Sequence, residues 1–147
     1  MKINKPFLEY AILAVVIAGA IFIYLQIVNR DVNLCRYVFN SLLTSKPAAE
    51  KYIDWEHLQA VGADIGATYR ALPNDQEKTN YRMVFFRTFP KGFEKFHGQP
   101  KAFRNWRNLG VKDGKTIVAV DYLAYNKTLL FFLSKLHGTK IVSIQWE

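Results

Sequence analysis

Residues 11 to 28 read AILAVVIAGAIFIYLQIV, eighteen in succession without a charge, and no other feature constrains the chain as strongly. With Phe7 and Leu8 added on the far side of Glu9, a helix from Phe7 to Val28 would be about 33 Å long at about 1.5 Å per residue. A bilayer hydrocarbon core is about 30 Å thick, so the run predicts one membrane pass over residues 7–29. A short tail (1–6) would precede it and a domain of residues 30–147 would follow. The competing reading is a cleaved signal peptide, because MKINK is basic and Ala18-Gly19-Ala20 has the small-x-small form of a cleavage site. Against cleavage, the apolar run continues through Ile21, Phe22, Ile23, Tyr24 and Leu25, where a peptidase needs a polar, extended segment. Lipoprotein processing fits less well, since Val32-Asn33-Leu34 puts no small residue directly before Cys35.

The flanks set the expected orientation. Lys2, Lys5 and the amino terminus lie on one side, and Arg30 and Arg36, offset by Asp31, on the other. A first helix with a short basic tail keeps that tail in the cytoplasm as a rule, which predicts a single-pass inner-membrane protein with its C-terminal domain periplasmic or otherwise extracytoplasmic.

From Arg30 onward there are 18 Lys and Arg against 11 Asp and Glu, a formal +7 that draws the domain to anionic surfaces. Its roughly 118 residues suffice for one core and are too few for two. Cys35 is the single cysteine, so neither an internal disulfide nor a cysteine-built metal site can form. Cys35, Val38, Phe39 and Leu42 recur at i, i+3, i+4, i+7, which places the thiol on the buried stripe of a helix.

Within the domain, residues 30–98 read as helices and 103–147 as strands. A helix from Asp31 to Thr44 should stop before Pro47, since proline disfavours helical geometry in the residue ahead of it. Shorter helices are expected over Ala48–Tyr52, Trp55–Ala60 and Ala63–Leu72. Asn74 and Glu77 have capping-box spacing, and Tyr81, Val84, Phe85 and Phe89 would line one face of the helix they start. Phe93 to His97 adds at most one further turn. Turn signals at Asp113-Gly114, Tyr125-Asn126-Lys127-Thr128 and His137-Gly138 then divide four β-rich runs: 103–112, 115–125, 128–136 and 139–147. Connections this short predict an antiparallel meander, with a bulge at Gly110 and Val142, Ile144 and Trp146 sharing one face of the last strand. The fold class is α+β: a membrane helix, then helices packed on a bent four-stranded antiparallel sheet.

Helices followed by a bent meander that ends on KIVSIQWE resemble the nuclear transport factor 2-like superfamily. KTLLFFLSKLHGTKIVSIQWE is similar to its closing hairpin. YIDWEHLQAVGADIGATYRALPNDQEKTNYR with FRNWR resembles the helical part of small bacterial members without assigned activity. The resemblance implies a cone-shaped α+β domain and little about activity, because one fold hosts many functions. Membrane-anchored members of the superfamily include an inner-membrane component of type IV secretion systems that assembles with partners. Its enzymes place Asp, His or Tyr inside the cone.

Asp121 is the catalytic candidate, because a carboxylate on an apolar strand face could carry a raised pKa and act as a general base. The bland alternative is exposure, or pairing with a nearby Lys or Arg. Trp55, Tyr81, Phe85 and Tyr122 could line a pocket for a lipid or other apolar ligand, although aromatics at such spacing are commonly core. The densest basic stretch, Arg87 to Arg107, offers Arg87, Lys91, Lys95, Lys101, Arg104 and Arg107 for an anionic surface or a protein partner. Interleaved aromatics there also suit nucleic-acid stacking, but an extracytoplasmic domain argues against that partner. His57, His97 and His137 lack zinc spacing, and no Gly-rich phosphate loop, nucleophile elbow or HExxH occurs, so neither metal nor cofactor is expected. Asn126-Lys127-Thr128 matches a glycosylation sequon by chance at a turn. The resulting expectation is a membrane-anchored, non-catalytic domain for assembly with a protein partner or a second copy. Apolar-ligand binding and Asp121 catalysis are the alternatives.

Overall fold

The computed structural model describes residues 5–94 and 98–147. Lys95 and His97, named above, lie outside the described residues, as does most of the 1–6 tail. Helix α1 (Lys5–Val28) carries the apolar run, and its segment Leu8–Val28 is long and apolar enough to cross a membrane, with none of it buried within the structure. The chain divides after Arg30 into two units, and the second, Asp31–Glu147, holds the remaining elements apart from the first residue of the next helix.

Helix α2 (Arg30–Leu43) buries the stripe that its spacing predicts: Cys35, Val38, Phe39 and Leu42 are all fully buried. It stops where Ser45 turns to a left-handed φ of 56°, two residues before Pro47. Pro47–Tyr52 is a 3-10 turn rather than an α-helix. The helix expected over Trp55–Ala60 does not form. Trp55 sits in a turn, and Gln59–Ala60 is a short strand, β1, which pairs antiparallel with β2 (Ala63–Asp64). Helix α3 (Ile65–Arg70) therefore starts two residues later than expected, with the Asp64 carboxylate accepting the Ala67 N–H at 2.9 Å.

Helix α4 (Asp75–Thr88) has the expected N-terminus, where Asn74 Oδ1 accepts the Glu77 N–H at 2.9 Å. Its apolar face is rotated from the expected one. Phe85, Phe86 and Phe89 are buried, Tyr81 is half-buried and Val84 is exposed. A short helix, α5 (Lys91–Glu94), follows.

The sheet is larger than expected and mixed: six strands in the order β2-β1-β6-β5-β4-β3. Strands β3 (Phe103–Lys112), β4 (Lys115–Tyr122), β5 (Lys127–Ser134) and β6 (Lys140–Trp146) pair antiparallel with their sequence neighbours. At the other flank of β6, β1 pairs in parallel, Gln59 with Ser143 and Ala60 with Ile144. The last strand is thus internal. Asp113 and Gly114, both at positive φ, make the tight β3–β4 turn that the right-handed strand twist favours. The second β-run ends at Tyr122 rather than Tyr125, because Leu123–Tyr125 forms a 3-10 turn closed by left-handed Asn126.

Three register shifts bend the sheet. One lies between Asn108 and Gly110, where Gly110 takes φ 94°, as its position in the sequence predicts. A second lies between Arg104 and Arg107, with Asn105 at φ 57°. The third puts Val142 opposite no partner, so that Ile141 and Ile144 face the core with Trp146 beside them. Val142 falls out of the expected row.

The helices cover one sheet face. Phe39 of α2 lies at the centre, with edge contacts to Phe89, Phe93, Phe103, Trp106 and Phe131 at ring-centroid separations of 4.7–6.3 Å. Edge-to-face rings at such distances gain about 0.5–1.5 kcal/mol per pair beyond burial.

Candidate functional site

Asp121 pairs across the sheet with Arg104 and Thr128, on the face away from the helices. Its carboxylate is spoken for. Arg107 Nη1 donates to Oδ1 at 2.8 Å, Asn105 Nδ2 to Oδ2 at 3.3 Å and the Thr128 hydroxyl to Oδ1 at 3.3 Å. The Arg107 hydrogen bond, aided by Asn105 and Thr128 and opposed by desolvation, holds this carboxyl below its ordinary value. A general base needs the opposite shift, so the raised pKa expected of Asp121 is corrected: the sheet delivers the pairing alternative. The same contacts fasten the β3 bulge, since Arg107 Nη1 also donates to the Asn105 carbonyl at 3.1 Å. Asp121 thereby clamps the backbone that turns Trp106 toward the core and Arg107 away from it.

Three of the four aromatic candidates share one cluster, and the fourth, Tyr122, lies apart. Trp55 packs edge-on against Phe85 at 5.4 Å and beside Tyr69 at 6.0 Å, and Tyr69 lies 6.2 Å from Tyr81. Trp55 Nε1 donates to the Glu50 carbonyl at 3.1 Å, and Arg82 Nη1 donates to the Tyr69 hydroxyl at 2.7 Å, so the polar ends of this cluster bond to the protein itself. Tyr122 belongs to a separate group, stacked on Phe103 at 4.8 Å and on Tyr125 at 5.3 Å. Desolvation, with Tyr125 adding to it, raises the Tyr122 phenol.

The basic stretch is also divided by the fold. Arg87, at the end of α4, borders a hollow with Met83, Phe86 and Pro47, and Lys91 lies exposed on α5. Lys101 and Arg104 are adjacent, with Arg104 Nε donating to the Lys101 carbonyl at 3.5 Å. Arg107 is taken by Asp121, the cross-strand partner of Arg104. Sequence reasoning missed Arg36, counted only as a flanking charge. Its guanidinium lies 5.8 Å over the Trp106 ring and it shares a hollow of about 310 Å³ with Arg104. Its i, i+4 spacing to Asn40 puts both residues on one helix face, but no local signal brings β3 to that face.

Cys35 is buried, and its thiol is pushed well above its ordinary pKa by burial and by nearby Asp31, an inert core thiol. His57 Nδ1 lies 3.1 Å from both carboxylate oxygens of Asp54 in an exposed turn, and His137 is exposed. Among the described residues no three His, Cys, Asp or Glu side chains cluster as metal ligands would.

Compared with protein-family models, curated sequences and solved structures, the chain matches none.

Proposed function

We propose that this is a single-pass membrane protein that presents a non-catalytic binding or assembly domain outside the cytoplasm, held by α1 with its basic tail inside. The filled interior carries the reading. The space between helices and sheet, where a cone-shaped pocket would open, is occupied by Phe39 and the five rings around it, all but the half-buried Trp106 fully or nearly fully buried. Side chains that fill a cavity leave recognition to the surface, and the surface offers a cationic domain and a half-exposed apolar sheet face of Ile117, Leu130 and Phe132. The nuclear transport factor 2-like architecture belongs to the same proposal. Its support is element order, helices ahead of β3–β6, with β3 bent by two bulges.

The pairing of Asp121 with Arg107 weighs against the enzyme alternative, and the packed rings weigh against an internal apolar ligand. Asp121→Asn should leave complementation of a deletion strain near wild type, and a folded variant that loses function would overturn the non-catalytic reading. Alkaline phosphatase fused after Glu147 should be active in a bacterial host, because the enzyme folds only outside the cytoplasm. An expressed but inactive fusion, or a mature N-terminus at Ile21, would overturn the anchored orientation.

A further inference from the structure

Among the described residues of the domain, the two most exposed large apolar side chains are Leu136, 86 % exposed, and Val111, 71 % exposed. They are distant in sequence, yet both lie at one end of the sheet. The ladder sets Val111 opposite Thr116, Thr116 opposite Leu133 and Leu133 opposite Ile141, so one row of residues crosses β3, β4, β5 and β6. One position further toward that end come Lys112, Lys115, Ser134 and Lys140, and Leu136 lies in the β5–β6 loop just beyond them. Lys115, Ser134, Leu136 and Val142 also line one hollow of about 300 Å³.

Charge at this end is mostly positive. Segments 112–115 and 134–140 hold four lysines against a single carboxylate, Asp113. Asp54, which donates its N–H to the Ile141 carbonyl, has its own carboxylate beside His57. Like charges gathered on one rim repel each other until an anionic partner offsets them. The chain itself carries this rim toward a bilayer. Lys135 Nζ lies 3.2 Å from Asp31 Oδ2, and the Asp31 side chain is mostly buried. Asp31 comes three positions after Val28, the last residue of the membrane-length segment, and three residues span at most about 11 Å even when fully extended. Lys135 directly precedes Leu136, so the exposed leucine stays in the neighbourhood of any membrane that α1 crosses.

We propose that this end of the sheet rests on an anionic bilayer surface, with Leu136 and Val111 entering the interfacial layer and Lys112, Lys115 and Lys140 set against lipid phosphates. The two halves of the match are independent. An apolar side chain gains by leaving water, and each lysine near an anionic leaflet adds roughly fivefold to the contact equilibrium. The tether favours lipid over a soluble acidic partner, because a surface held within reach of a few residues is present at high effective concentration. The contact rests on the anchored reading of α1 and adds to it which end of the domain meets the membrane.

The test uses the full chain in phosphatidylcholine nanodiscs, with and without phosphatidylglycerol. A polarity-sensitive nitrobenzoxadiazole dye is attached at Leu136→Cys, at Val111→Cys or, for the opposite end of the sheet, at Leu123→Cys, where the native leucine is exposed. Cys35 is fully buried and does not react in the folded chain. With phosphatidylglycerol present, the dye at 136 and at 111 should be bright, blue-shifted and quenched by spin-labelled lipid, while the dye at 123 stays dim and open to aqueous iodide. Lys112→Gln, Lys115→Gln and Lys140→Gln together should lower the contact equilibrium about tenfold or more, and salt near 1 M, where charges are screened beyond about 3 Å, should act in the same direction. Lys46→Gln, Lys91→Gln and Lys101→Gln, which remove the same charge at exposed positions elsewhere, should leave it unchanged. Lipid quenching at 136 that is lost in the first set and kept in the second supports the contact. A dye at 136 as wet as that at 123, in a chain that alkaline carbonate leaves in the membrane, overturns it. So does an equal response to the two lysine sets, or a buried dye that lipid does not quench, which would mark a second copy at this end. Extraction of the chain by carbonate would overturn the anchor reading first, and the contact with it.

Discussion

Leu129, Phe131 and Leu133 of β5 are completely buried, whereas Leu130 and Phe132, of the same residue types and interleaved with them, remain half-exposed on the other face. The contrast repeats in part on β4, where Thr116, Val118, Val120 and Tyr122 are buried and Ile117 and Asp121 are partly open, although the small Ala119 between those two is buried as well. Composition is nearly the same on both faces of β5, so hydrophobicity alone does not choose between them. The helix layer chooses: Phe39 reaches Phe131 at 5.3 Å, and the side that receives no helix is left to short polar contacts such as Arg107 with Asp121. A half-buried apolar row beside an ion pair is a different physical object from a core. It contributes less to stability and remains open to a partner.

Truncation at adjacent positions tests that contrast most directly. Phe131→Ala should cost about 3–5 kcal/mol, as for other large-to-small changes in a packed core. For a domain near 100 residues each kcal/mol lowers Tm by roughly 4–8 °C, so thermal unfolding of the detergent-solubilised chain will show it. Phe132→Ala, one residue on, should cost less, about 1–2 kcal/mol, because its side chain is only partly buried. An equal loss for the two would break the comparison and mean that the second face is covered as well. The smallest expected effect belongs to the ion pair. A double-mutant cycle of Asp121→Asn and Arg107→Gln should give a coupling of about 1 kcal/mol or less, since both side chains are partly solvated. The sign with pH sharpens the measurement. The Asp121 carboxyl is depressed in the folded protein, so its contribution is fully present above the unfolded-state value and fades as pH falls below about 4. The coupling should therefore shrink in acid and persist at neutral pH. A coupling that grew in acid would show that Arg107 does not hold the carboxylate.

Features encoded within a few residues of one another were legible in the sequence. The α1 run, the Cys35–Leu42 stripe, the Asn74 cap, the Asp113-Gly114 turn and the Gly110 bulge each depend on side-chain period or on backbone freedom at one position. Local signals also misled where tertiary contacts outweighed them. Gln59 and Ala60 lie in a stretch with helical spacing, but their backbones are recruited by Ser143 and Ile144 into the parallel β1–β6 pair. Two-residue strands have no period to read. Val142 followed simple alternation until a bulge, set by pairing with β5, moved it out of the row.

The candidate sites divide in the same way. By itself the sequence determined that an apolar, membrane-length helix precedes a basic α+β domain with one buried thiol and no cysteine-built metal site, because charge, run length and residue supply are properties of the chain. Only the tertiary structure decided that Asp121 serves Arg107 and a bulge, that this bulge puts Arg104 and Arg107 on one sheet face and Trp106 on the other, and that Arg36 lies over the Trp106 ring. The reason is register. A one-residue bulge reverses which side of a sheet every later side chain occupies, and register is fixed by pairing between segments, which no local window of sequence contains.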